Sequence, residues 1–193
     1  MKDFLIIGLG LAGISFTETL RNNNLSFHVI SDDSQNSSVI AGGMYNPVVL
    51  KRYSEVWKAK EQLEISMPLY HNIQDRLKQQ FIHELPVYRK FASIEEQNNW
   101  FIAADKPSLA PFLSTQIKKI KLDAIDAPFG FGEVFGSGYL DTKLLKEIYA
   151  KELETLELLS NEHFDYDQLV PNLDTVNYKG SSYKNIVFAD GFG

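Results

Sequence analysis

The 193-residue chain contains no cysteine. That excludes a disulfide framework, a thiolate metal site, a cysteine nucleophile and a thioether-tethered cofactor, so any redox chemistry has to be brought by a bound group. No run of about 18 or more apolar residues occurs, and no membrane span is predicted. The apolar stretch Phe4 to Ile14 is preceded by Asp3 instead of a basic segment and is followed by no small-residue cleavage site, so it does not read as a signal peptide. A cytoplasmic protein is the expectation. Positive charge is in deficit: 19 Lys and Arg against 25 Asp and Glu leave a net charge of −6, which argues against nucleic acid as the main partner. Histidine is sparse, and His28, His71, His83 and His163 show no metal-ligand spacing, so no metal site is expected. There is no repeat and no low-complexity linker. What remains is ordinary globular composition, 44% hydrophobic and 23% charged, with a length for one domain or one domain carrying an insertion.

The first thirty-odd residues carry the chemistry. Phe4, Leu5, Ile6 and Ile7 form the unbroken apolar run of a strand buried on both faces, as in a parallel sheet. Gly8-Leu9-Gly10-Leu11-Ala12-Gly13 follows at once and fits G-x-G-x-x-G. Ala12, Phe16 and Leu20 then recur at helical spacing until Asn22, Asn23 and Asn24 break the helix. Phe27, Val29 and Ile30 make a second strand, ending in Ser31, Asp32 and Asp33. Each part has a task in holding a dinucleotide. Gly8 permits a tight turn, Gly10 keeps side chains off a pyrophosphate, Gly13 lets helix and strand pack closely, and the helix start at Leu11 and Ala12 offers free N–H groups. Asp32, nineteen residues past Gly13, is placed to accept from a ribose hydroxyl.

The stretch Ser37-Ser38-Val39-Ile40-Ala41-Gly42-Gly43-Met44-Tyr45-Asn46-Pro47 is small, polar and glycine-rich, unlike the helix that follows the second strand in a nicotinamide domain. Here the sequence resembles the D-amino-acid oxidase and glycine oxidase family of FAD-dependent oxidoreductases. The resemblance implies a Rossmann-like α/β domain with a parallel sheet, FAD as cofactor, and Ser37, Ser38, Gly42, Gly43 and Met44 lining the flavin ring. The family's acid falls at the last position of the second strand, where this chain has Ser31, so the role passes to Asp32 or Asp33. The glycine-rich segment from Gly42 to Pro47 is also similar to that of the oxidase domain of tRNA wobble-uridine-modifying enzymes, a narrower variant that the net charge disfavours.

Between residues 51 and 135 the pattern changes. Leu63, Met67, Tyr70, Ile73, Leu77 and Phe81 mark a long helix or helix pair that Pro68 is expected to kink or split. Ile82 to Phe91, with Pro86, reads as an edge strand. Ser93-Ile94-Glu95-Glu96 opens a capped helix through Trp100. Trp57 and Trp100 are both expected in the core, and Lys51 and Arg52 read as solvated surface, with contact to an anion as the alternative. The resemblance makes residues 51–135 an inserted α+β portion of a substrate domain, between residues 1–50 and 136–193 of the FAD-binding domain.

In the last segment Asp141 is an N-cap for a helix with Leu144, Leu145, Ile148 and Leu153 on its apolar face. Phe164 to Val170 reads as a strand, Val176 to Tyr183 as a hairpin turning at Lys179-Gly180-Ser181, and Asn185 to Phe188 as a further buried strand. That strand closes on Ala189-Asp190-Gly191, which resembles the family segment whose Ala and Gly approach the pyrophosphate and ribose. Family members continue well past this point, so the resemblance implies the front part of a larger flavoenzyme. The function expected is oxidation of a small amine or amino acid by hydride transfer to FAD, with no catalytic side chain assigned. The alternatives are a nicotinamide-dependent dehydrogenase and a dinucleotide-binding module without turnover.

Overall fold

A computed structural model describes residues 1–32, 34, 37–121 and 123–191. In chain order its elements begin with β1 (Lys2–Ile7), α1 (Leu11–Asn22), β2 (Phe27–Ser31), α2 (Ser37–Ile40), β3 (Met44–Tyr45), β4 (Val48–Val49), β5 (Ser54–Glu55) and α3 (Ala59–Leu77). They continue with β6 (Ile82–Glu84), β7 (Val87–Lys90), α4 (Ile94–Ala104), β8 (Phe131–Val134), β9 (Gly138–Leu140) and α5 (Thr142–Thr155). The last are β10 (Leu159–Asn161), β11 (Leu169–Pro171), β12 (Val176–Tyr178) and β13 (Ser181–Phe188). The chain divides into two units, Met1–Gly43 with Asn72–Phe81 and Asp141–Gly193, and Met44–His71 with Ile82–Leu140.

The first unit is a mixed α/β structure around a six-stranded sheet of order β10-β2-β1-β13-β12-β11. Four strands, β10, β2, β1 and β13, run parallel; β12 and β11 are antiparallel additions. β1 is central, which is why it reads as an unbroken apolar run: both of its faces are covered. Leu5 and Ile7 pack with Ile30, Phe164, Tyr178 and Tyr183, while Phe4 meets Phe16 of α1 edge-on at 5.5 Å. On α5 the Asp141 carboxylate accepts from Leu144 N at 2.9 Å. The buried residues of this helix are Thr142, Leu145, Tyr149 and Leu153; Leu144 and Ile148 are only half-buried. Tyr149 can replace them in the interior because its hydroxyl is satisfied, donating to Glu18 Oε1 at 2.7 Å and lying 2.7 Å from Thr17 Oγ1.

Two local expectations for this unit are corrected, and one strand was not expected at all. Phe164 to Val170 is not one strand: Asp165 caps a single 3-10 turn, Tyr166–Gln168, by accepting from Asp167 N at 3.0 Å, and β11 begins only at Leu169. The hairpin arm and the strand after it are one strand, β13, whose start pairs with β12 and whose end, from Tyr183 to Phe188, pairs with β1. The short parallel strand β10 has no signal in the sequence; its polar Leu-Ser-Asn is held at the sheet edge by β2.

In the second unit α3 contributes its residues up to His71. Pro68 lies inside α3 without splitting it. Its ring is on the exposed side and only one helical hydrogen bond, to the Glu64 carbonyl, is forfeited. Ile82 to Phe91 divides at Leu85-Pro86 into β6, which pairs with β9, and β7, which pairs with β8. The capping box forms with a shift: Ser93 Oγ accepts from Glu96 N at 3.2 Å, and Glu96 reaches back to Ala92 N at 2.7 Å. The core gathers Phe91, Trp100, Leu109, Phe112 and Val134, and the Trp100 indole donates to Ser114 O at 2.8 Å. Trp57, expected there, is 75% exposed: it lies in the turn before α3, off the helical stripe that selects core residues.

Candidate functional site

A cleft of about 590 Å³ opens in the first unit at the carboxyl ends of β1, β2 and β13. In an open α/β sheet this is where ligands collect, because successive connections leave the central strand on opposite sides and part there. Chain reversals at these ends are tied together, Gly8 N donating to Ile30 O at 2.8 Å and Ala189 N to Ile7 O at 2.7 Å.

The three motif glycines have different reasons. Gly8 has φ +98°, and a Cβ there would lie 2.5 Å from Ala189 O. A Cβ on Gly13 would overlap the Gly8 carbonyl oxygen, so α1 could not lie so close to the turn. Both are required by the fold. Gly10 is not: its φ of −80° suits any residue, and a Cβ would meet only Ser38 Oγ at 3.5 Å. Gly10 also caps α1 without a side-chain hydrogen bond, and the first turn carries no acid, so the positive end of α1 is left to whatever enters the cleft.

The cleft brings together Gly8, Gly10, Leu11, Ala12, Asp32, Ser37, Ser38, Ala189 and Gly191. Gly13 lies behind it as the packing glycine. Gly42, Gly43 and Met44 do not line it: the glycines turn the chain at φ +69° and +63°, and Met44, 75% exposed, begins β3 in the other unit. Asp33 lies outside the described residues. After Ser34, the Ser37–Ile40 segment forms only the four-residue helix α2, anchored where Ser38 O accepts from Thr142 Oγ1 at 2.8 Å. Lys51 and Arg52 are exposed in the turn between β4 and β5.

Asp32 Oδ1 accepts from Ser34 Oγ at 2.6 Å and Ser34 N at 3.0 Å, and His163 Nδ1 lies 2.7 Å from Oδ2. These bonds hold the carboxyl well below the usual carboxylate range, Ser34 contributing most. Asp32 is therefore an ionised acceptor on the rim. Sequence reasoning missed His163, which lies 131 positions away and is delivered by the end of β10. It also missed an aromatic group on the same wall, Phe164, Tyr166 and Phe188. Phe188 was legible as an apolar strand end; nothing in the sequence marked Tyr166.

No protein-family sequence model matches the chain. Its fold, however, is similar to that of solved enzymes, two oxidases and a deaminase among them. Glycine oxidase from Bacillus cereus superposes with a TM-score of 0.60 at 18% identity, over 99% of this chain and 55% of that one. Iminodiacetate oxidase from Chelativorans sp. BNC1 gives 0.67 at 12%, over 97% and 55%. L-Amino acid deaminase from Proteus myxofaciens gives 0.63 at 14%, over 99% and 46%. The chain shares the fold of these proteins and spans about half the length of each.

Proposed function

We propose that this chain carries the FAD-binding part of an oxidoreductase acting on an amine or amino acid. The first unit makes the Rossmann-like nucleotide portion, and the second unit, which takes in most of residues 51–135, belongs to the substrate portion. The supporting observation is Gly10. The fold leaves room for a side chain there, and the absence of one is explained by a diphosphate lying against the backbone at the head of α1. The chemistry of the surrounding donors fits the same group. Backbone N–H groups of Leu11 and Ala12 would face a dianion, Asp32 would accept from a ribose hydroxyl, and Ser37 and Ser38 would extend the cradle. FAD, when bound, supplies the acceptor for hydride leaving a substrate C–H bond. The choice of amines and amino acids rests on the sequence resemblance, with support from the oxidases and the deaminase that share the fold.

The test is FAD uptake by the protein and by Gly10→Val, followed by visible absorption and denaturant unfolding. The expected result is a yellow protein whose Gly10→Val variant loses only about 1 kcal/mol, the difference between Gly and Val as an N-cap, but no longer holds FAD. A protein that takes up no FAD overturns the reading, and uptake of NAD in its place transfers it to a nicotinamide enzyme.

A further inference from the structure

A second cavity, of about 550 Å³, is lined entirely by residues of the second unit. One wall is α3, where Leu63, Met67 and His71 follow four positions apart and so share a face. Another is the sheet of order β3-β9-β6, in which Tyr45, Gly138 and Glu84 lie side by side in one row and share a face. A Cβ on Gly138 would lie 2.5 Å from the Tyr45 hydroxyl oxygen, so the Tyr45 ring fills the gap that the glycine leaves and carries its hydroxyl across β9 toward Glu84. Burial, and after it the Glu84 charge, hold this hydroxyl above its ordinary value.

The polar groups of the cavity divide into two sets. Glu133 is occupied by Lys118 at 3.0 Å and by the Tyr88 hydroxyl at 3.3 Å, and Ser137 Oγ donates to Leu85 O at 2.9 Å and accepts from Val87 N at 3.1 Å. The other set is unused. Among the described residues the buried Tyr45 hydroxyl has no hydrogen-bond partner and the Glu84 carboxylate has no ion pair. His71 Nδ1 lies 2.8 Å from the Met67 carbonyl oxygen, which can only accept, so this nitrogen carries the hydrogen and Nε2 of the neutral ring is an acceptor. The rest of the lining is mainly apolar, with Leu85, Val134 and Phe135 completing it, and an apolar cavity with a few unsatisfied polar groups is the form a small-molecule site takes.

We propose that this cavity binds a primary ammonium group carried on an apolar body, with Glu84 as its counter-ion and Tyr45 and His71 beside it. Charge selects the cation, because two carboxylates and no Lys or Arg line the cavity among the described residues. Those residues form no group of three metal-ligating side chains, which sets a metal ion aside. The same lack of a fixed cation leaves the carboxylate of a free amino acid without a partner, so an amine without a carboxylate fits better. The proposal does not rest on the cofactor reading of the first unit, and neither falls with the other.

The experiment is calorimetric titration of the protein with phenethylamine and, separately, with phenethyl alcohol, which has the same body without the charge, and with phenylalanine, which adds a carboxylate. Phenethylamine is expected to bind at least about tenfold more tightly than either. Glu84→Gln is expected to weaken phenethylamine about tenfold and to leave phenethyl alcohol unchanged. The Glu84 side chain is exposed, so the variant should keep its fold, which denaturant unfolding checks. Glu61→Gln, the same change at an exposed position of α3 outside the cavity, is expected to alter neither affinity. No binding of phenethylamine by the unsubstituted protein overturns the site. So do equal affinities for the amine and the alcohol, an unchanged affinity in Glu84→Gln, or an equal loss in Glu61→Gln.

Discussion

Arg76 and Glu18, 58 residues apart in sequence, meet with Arg76 Nη2 donating to Glu18 Oε1 at 2.6 Å. The Glu18 side chain is almost fully buried, and it also accepts from Tyr149. The second Arg76 nitrogen binds Glu152 of α5, which Arg21 of α1 also holds at 3.2 Å through both carboxylate oxygens. Both guanidinium groups lie 5.9 Å from the Tyr149 ring. One polar cluster thus ties α1, α5 and the end of α3 within the first unit.

Removing Arg76 takes the nearest cation from the buried Glu18 carboxyl. Arg21, at 3.7 Å, compensates in part, so Arg76→Met is expected to cost about 2 kcal/mol, below the roughly 3 to 5 of a fully buried pair that loses one partner. Combining it with Glu18→Gln should cost less than the two changes added. Urea unfolding of the single and double variants measures both quantities.

Two glycines of the first unit separate packing from backbone strain. Gly13→Ala forces a methyl group into the Gly8 carbonyl and is expected to lose about 3 kcal/mol or more. Gly42→Ala meets nothing within 4 Å and carries only the strain of φ +69°, about 1 kcal/mol. Denaturant midpoints for the pair give the comparison, and equal losses would contradict it.

Acid should weaken the first unit through Asp3. Its carboxyl accepts from Lys184 Nζ at 2.7 Å and from Ser26 Oγ at 2.5 Å, and these bonds hold it well below its ordinary value near 3.8. A carboxylate depressed in the folded state adds stability that is complete above its unfolded value and is lost as pH falls toward the folded one. Asp32 has the same sign, through Ser34 and His163. Between about pH 4.5 and 2 the unfolding midpoint of the protein should therefore fall more steeply than that of Asp3→Asn, and 1 M salt should narrow the difference.

How much of this was legible in the sequence depends on range. Strand, glycine turn, helix and second strand were readable because burial on both faces forces an apolar run and a tight turn forces glycine, and both are local demands. The Asp141 and Ser93 caps were readable for the same reason. Misreadings came where distant neighbours set the outcome. Phe164 to Val170 looks like a strand, yet Phe164 is taken by the core against Tyr178 and the chain turns at Tyr166. Tyr149 is missing from the apolar face read from the sequence, and it enters the core because Glu18 and Thr17 satisfy its hydroxyl.

The candidate site divides along the same line. G-x-G-x-x-G and Asp32 are close neighbours in the chain, and their spacing alone carries the expectation of a phosphate cradle and a hydroxyl acceptor. That the fold demands Gly8 and Gly13 but not Gly10 depends on where Ala189 and Ser38 come to lie. That His163 reaches Asp32, and that Tyr166 and Phe188 line one cleft with the glycines, depends on β10 and β13 arriving beside β2 and β1. Chain geometry fixes conformation over a turn or two, whereas pairing between remote strands is settled only when the whole sheet assembles, and this site is built from both.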